Sequence, residues 1–227
     1  MDLSVRKASE LLRHGLAGAL DKALDLADPV AVTHVEKIRK NHGDISPAAA
    51  LRRVEWEYRL AVAGTGSAAG FSAFAPNPAA WAATVAEAGI FLTASAALVV
   101  TSARIHGFED LDPLQRRVLV TGILLGNSAS AGLGKAVPRT AKHWAKHLIN
   151  HVPRSSLVSI NKVLGPNFIT KYGTQQGVLV LGRELPAGIG AVIGGGGNAL
   201  FGEGIIRAGH KAFGPVRESW DQPLGAS

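Results

Sequence analysis

Four dipeptides punctuate this chain: Asp28-Pro29, Ser46-Pro47, Asn77-Pro78 and Asp112-Pro113. In each, a side chain able to cap a free helix N–H stands directly before a proline. Proline suits the first helical position because its missing donor is not needed there. The four pairs predict four helix starts. Gly43, Gly107, Gly173 and Gly214 each follow an apolar-periodic stretch and predict helix stops. No sustained two-residue alternation appears, and the short apolar run 178–181 is equally consistent with buried helix. The expected fold is all-α, a compact helical bundle of about seven to nine helices. Residues 1–214 form one expected domain, and 215–227, with Trp220, an expected loose tail.

Residues 3–26 carry a stripe of Ala8, Leu12, Leu16, Leu20 and Leu24 with charges off it, which predicts an amphipathic helix. A short second helix is expected over 29–42. The stretches 47–74 and 78–106 predict an αα-hairpin. Its first arm is charged early (Arg52, Arg53, Glu55, Glu57, Arg59), and its inner ends are small and uncharged. The charge-free lengths 60–75 and 88–103 fall short of the roughly 20 apolar residues of a bilayer span. A buried core hairpin is expected, with partial insertion as the alternative. A further helix is expected from Pro113 to about residue 128.

The run 185–213 is rich in glycine and uncharged from 185 to 202. Gly188, Gly190 and Gly194 approach a dinucleotide fingerprint, but no strand precedes them and no acidic residue follows at the required distance. The chain has no GxxxxGK[ST] either. Gly190, Gly194 and Gly195, with Asn198 as the one polar side chain, are expected to form a contact face for a neighbouring helix.

Charge bears on partners. The net charge is +7, and residues 113–183 contain ten Lys/Arg and no Asp or Glu. Such a one-sign region suits a polyanion, either anionic lipid or nucleic acid. Few aromatics and no nucleic-acid motif weigh against nucleic acid. Within this region Val137, Ala141, Trp144, Leu148 and Val152 form an apolar stripe. Arg139, Lys142, His143, Lys146, His147 and Asn150 lie opposite. A basic amphipathic helix with a tryptophan is a pattern for lying in a membrane interface. Lys135, Arg139, Lys142, Lys146, Arg154 and Lys162 are the expected headgroup contacts. Trp144 would supply insertion or core packing.

The sequence offers little for catalysis. The absence of cysteine removes thiolate metal sites and cysteine nucleophiles. His143, His147 and His151 share helical spacing but lack an acidic partner, and no HExxH or GxSxG occurs. The cluster Glu109, Asp110, Asp112 reads as helix N-terminal charge. Glu55, Glu57 and Glu87 are expected at the surface; buried together in the hairpin they would instead be a site for acid–base chemistry. No catalytic residue, cofactor or metal ligand is assigned.

Two stretches resemble the EcsC family of bacterial proteins. One is the junction 105–116, Ile-His-Gly-Phe-Glu-Asp-Leu-Asp-Pro-Leu-Gln-Arg. The other is Leu185-Pro186, Gly190, Ile193-Gly194-Gly195, Asn198 and Ala208. The resemblance covers roughly 11–213. It departs in the four glycines 194–197 and in the basic segment 135–171. It implies association with an ABC-transporter system and supplies no catalytic residues. The expectation is a cytoplasmic protein, peripheral to the inner face of the cell membrane and bound to anionic lipid. The alternatives are a lipid-acting hydrolase and a soluble adaptor without direct lipid binding.

Overall fold

The computed structural model describes the backbone of residues 3–72, 78–129, 133, 143–183 and 189–221. It describes side chains within those ranges except 3–13, 64–87, 127–128 and 171–198. The described residues are all-helical. They form α1 (Leu3–Asn41), α2 (Pro47–Ser72), α3 (Pro78–Ile105), α4 (Pro113–Leu125), a 3₁₀ turn (Gly126–Ala129), α5 (Trp144–His151), α6 (Arg154–Arg183) and α7 (Ile189–Phe213).

Three of the four expected starts begin helices. Ser46 Oγ accepts Ala49 N at 3.3 Å at the head of α2, and α3 begins on Pro78. Asp112 builds a complete capping box. Its Oδ1 accepts Leu114 N (2.7 Å) and Gln115 N (3.2 Å), while Gln115 Oε1 accepts Asp112 N at 3.2 Å. The fourth pair does not start a helix, because α1 runs unbroken through Pro29. Proline inside a helix removes one backbone hydrogen bond, and tertiary contacts on both sides of this one offset the loss. Ala23, Ala27 and Ala31, one turn apart, are wholly buried as α1 packs along α3. Asp28 takes Arg104 Nη2 at 3.0 Å and Arg116 Nη2 at 3.2 Å. Asp28 is therefore the centre of an ion-pair cluster rather than a cap.

The stops divide by backbone angle. Gly107 and Gly214 have φ of 97° and 80°, conformations that end α3 and α7 and favour glycine. Gly173, expected to end a helix, lies inside α6, as does Pro166. Glycine in a helix costs about 1 kcal/mol against alanine, too little to terminate a long packed helix.

α2 packs on α3 and α7, α4 on α6, and α5 on α4 and α7. The core gathers Leu16, Leu20, Phe91, Leu92, Leu119, Ile123, Leu148, Leu157, Leu164 and Phe168. Tyr58 closes the α2–α3 contact. Its hydroxyl lies 2.8 Å from Ser95 Oγ, which donates to Phe91 O at 2.7 Å. Burial holds this phenol well above its ordinary range. Among the described residues one helical window, Ala88–Ile105, is long and apolar enough to cross a membrane, and two-thirds of it is buried in protein.

The expected loose tail is tied down as far as Trp220. Trp220 Nε1 donates to Ile45 O at 2.8 Å, and its ring faces the guanidinium groups of Arg39 and Arg217. Arg217 Nε donates to Ile105 O at 3.0 Å, and its Nη1 to Trp220 O at 2.8 Å. Residues 222–227 lie outside the described residues.

Candidate functional site

The helix expected over 139–151 to meet lipid begins only at Trp144, because His143 takes a left-handed backbone with φ 62°, and it is seated inward. Trp144 stacks its ring over Gly122 of α4, where an added Cβ would come within 2.8 Å of Cη2. Ala145 and Leu148 are wholly buried. The apolar face of α5 is thus covered by protein, and core packing is what Trp144 supplies. Lys146 is half-buried, and Arg154 and Lys162 stand exposed on α6. Lys135, Arg139 and Lys142 lie outside the described residues. His147 and His151 stack with centroids 5.1 Å apart, and among the described residues no group of three or more acidic, His or Cys side chains could hold a metal.

Gly190, Gly194, Gly195 and Asn198 fall within α7, but their surroundings lie outside the described residues. The close approach expected of them is seen further along the same helix. At Gly202 an added Cβ would sit 2.9 Å from Val62 Cγ2 and 3.3 Å from Tyr58 Cε1. Two polar pairs extend the α2–α7 contact. Arg59 Nε reaches Glu203 Oε2 at 2.9 Å, and Glu55 Oε1 meets His210 Nε2 at 2.5 Å. The hydrogen bond between Arg59 and Glu203 raises the first group's pKa and lowers the second's. These contacts set α2 antiparallel to α7.

Glu55 is buried beside a histidine, the arrangement that would suit acid–base chemistry. The cavity it lines with His106, His210 and Phe213 holds about 10 Å³, room for one water at most. A substrate pocket needs some 300 Å³ or more. The Glu55–His210 pair therefore joins two helices, and the cavity beside it is too small for a substrate.

His106, in the same cavity, has both ring nitrogens against carbonyls: Nδ1 lies 2.7 Å from Ser102 O and Nε2 3.3 Å from Gly214 O. The ring stacks on Phe213 at 4.8 Å. Burial lowers its pKa and outweighs both carbonyls, with His210 and Arg217 adding to the lowering. With the folded value below the ordinary ~6.5, the unfolded chain takes up the proton first as pH falls. The stability that neutral His106 contributes is therefore complete above about pH 6.5 and is lost as pH falls from there through the folded value. His106→Gln is expected to flatten the pH dependence of the urea midpoint between pH 7.5 and 5. An unchanged slope would show that other groups carry it.

The outward sides of α2 and α7 form the surface that sequence reasoning missed. Leu51, Val54, Tyr58 and Val62 turn inward from α2. Opposite them Trp56 is 58% and Leu60 54% exposed, with Arg52 exposed one turn before. On α7, Leu200 is 77% exposed, and Arg207 and Lys211 are exposed on the same side. The antiparallel register sets Arg52 level with Lys211 and Trp56 level with Arg207. Leu60 and Leu200 come within a turn of each other at the far end. The face is thus graded from cationic to apolar, with a tryptophan between. The signal was present as Trp56 and Leu60 at i, i+4 among arginines, but the charges around them read as an ordinary solvated surface. Comparison of the chain with protein-family models, with curated proteins and with solved structures finds no match.

Proposed function

We propose that this protein attaches peripherally to an anionic membrane surface through the graded face of α2 and α7. The observation that carries the proposal is the alignment of Trp56, Leu60 and Leu200, all more than half exposed, with Arg52, Arg207 and Lys211 behind them. Large apolar side chains grouped on a surface mark an interaction site. A tryptophan between an apolar end and a basic end suits the headgroup level of a bilayer. Leu60 and Leu200 enter the acyl region, and the three cations meet phosphates at about 1 kcal/mol each. The acid-free segment 113–183 adds a positive field that draws the protein to the surface.

In this reading the chain is a compact bundle with a small-residue hairpin, working at the cytoplasmic side of the membrane. The resemblance to EcsC proteins supports placing it beside a transporter, as an accessory rather than an enzyme. The hydrolase alternative is disfavoured by the small size of the cavity at Glu55.

Cosedimentation with vesicles tests the proposal. Binding to phosphatidylglycerol vesicles is expected, with little to phosphatidylcholine and with release at high salt. Trp56→Ser and Leu60→Ser should each weaken binding about tenfold while leaving the fold intact, since each removes an exposed large side chain that would insert into the bilayer. Equal failure on both lipids, or variants that bind like the parent, would sink the proposal.

A further inference from the structure

α1 and α2 each pack on α3, and between them a groove of about 650 Å³ is left open. We infer that this groove holds the acyl chain of one anionic membrane lipid, with its headgroup at the α1 C-terminal end. The inference rests on the membrane reading for the source of the ligand alone.

The groove is graded along its length. At one end Leu26 and Val30 line it, each 41% exposed although both are large and apolar. At the other end Lys37, His42 and Arg53 line it. The one carboxylate among the described residues of its wall, Glu57, is already held by Arg53 Nε at 3.0 Å and by His34 Nε2 at 2.8 Å. That leaves Lys37 to meet an incoming anion. The α1 stripe from Leu26 to Asn41 spans about 22 Å at 1.5 Å per residue. One leaflet with its headgroups is half of a ~40–45 Å bilayer, about 20–22 Å. A single extended lipid therefore matches the groove in length, and its polarity matches end for end. The volume lies within the roughly 300–1,000 Å³ of small-molecule sites. Leu60, the apolar anchor of the neighbouring face, stands on the same helix wall toward the apolar end, so a lipid could enter from the docked membrane.

Titration calorimetry on the full chain provides the test. The probes are oleoyl lysophosphatidylglycerol below its micelle concentration, oleoyl lysophosphatidylcholine, and glycerol 3-phosphate as a headgroup without a chain. The expected result is one-to-one binding of the first, about tenfold weaker binding of the second, and none of the third. Val30→Asp and Lys37→Glu, both at exposed positions, should each lose about tenfold or more with an unchanged helical spectrum. Trp56→Ser should keep monomer binding. Equal binding of glycerol 3-phosphate would reduce the site to a phosphate contact and overturn the inference. So would indifference to Val30→Asp and Lys37→Glu, or a self-association that Val30→Asp dissolves without any lipid binding. Monomer binding without vesicle binding would sustain the groove and reject the membrane face; vesicle binding without monomer binding would do the reverse.

Discussion

Asp28→Asn is expected to lower the unfolding free energy by about 3 kcal/mol, because the substitution leaves two largely buried guanidinium groups without their shared anion. Arg104 and Arg116 reach Asp28 from α3 and α4 at 3.0 and 3.2 Å. Their side chains are only 17% and 16% exposed. The Nε of each is buried with no hydrogen-bond partner among the described residues, so neither arginine has a ready substitute. The size of the effect separates two readings of one residue. As an N-cap, Asp28 would be replaced by asparagine almost without cost, since both cap equally well. As the hub of an ion-pair cluster it cannot be, because asparagine keeps the shape and drops the charge. Urea unfolding with an unchanged m-value is the measurement, and a neutral Asp28→Asn would restore the cap. Pro29→Ala makes the converse check. It should stabilise α1 by about 1 kcal/mol or more, since it returns a helical N–H.

The second large effect concerns a tryptophan. Trp144→Ala is expected to cost about 3 kcal/mol, the range for deleting a large ring from a core. Vesicle binding should be retained wherever the variant is folded. The ring lies over Gly122, and Leu148 beside it is wholly buried. Gly122→Leu should damage the same contact from the other side, because a Cβ there already meets Cη2. Trp56→Ser is predicted to do the opposite, sparing stability and losing membrane affinity. If Trp144→Ala left the urea midpoint in place and abolished vesicle binding, the roles of the two tryptophans would be exchanged.

The contrast shows where the sequence was readable. Helix starts at Ser46 and Asp112 depend on hydrogen bonds within three residues, so the local pattern was enough. Asp28 carries the same local pattern, and its use was decided by arginines brought in from α3 and α4. Gly214 stops a helix and Gly173 does not, a difference that lies in backbone angle and packing rather than residue type. From Trp144 to His151 the helix does have a buried face, but periodicity identifies two faces without saying which one finds a protein partner. Trp56 was passed over for the same reason, since charge on the neighbouring positions hid an apolar pair that is left more than half exposed. Arg154 and Lys162 are exposed cations on α6, while the contact face expected at Gly190, Gly194, Gly195 and Asn198 lies outside the described side chains, and a close helix approach is seen at Gly202.

The strap that ends on Trp220 has a consequence for the order in which the protein is completed. Its indole donates to Ile45, 175 positions earlier, and Arg217 reaches back to the end of α3. The corner joining the first two helices is therefore left open during synthesis until Trp220 has left the ribosome. Contacts this distant are slow to form, because the intervening chain must be ordered before they are made. A nascent chain halted at α6 would hold an unfinished corner with its Ile45 carbonyl exposed, a state that quality-control factors could tell from the finished protein by that corner alone.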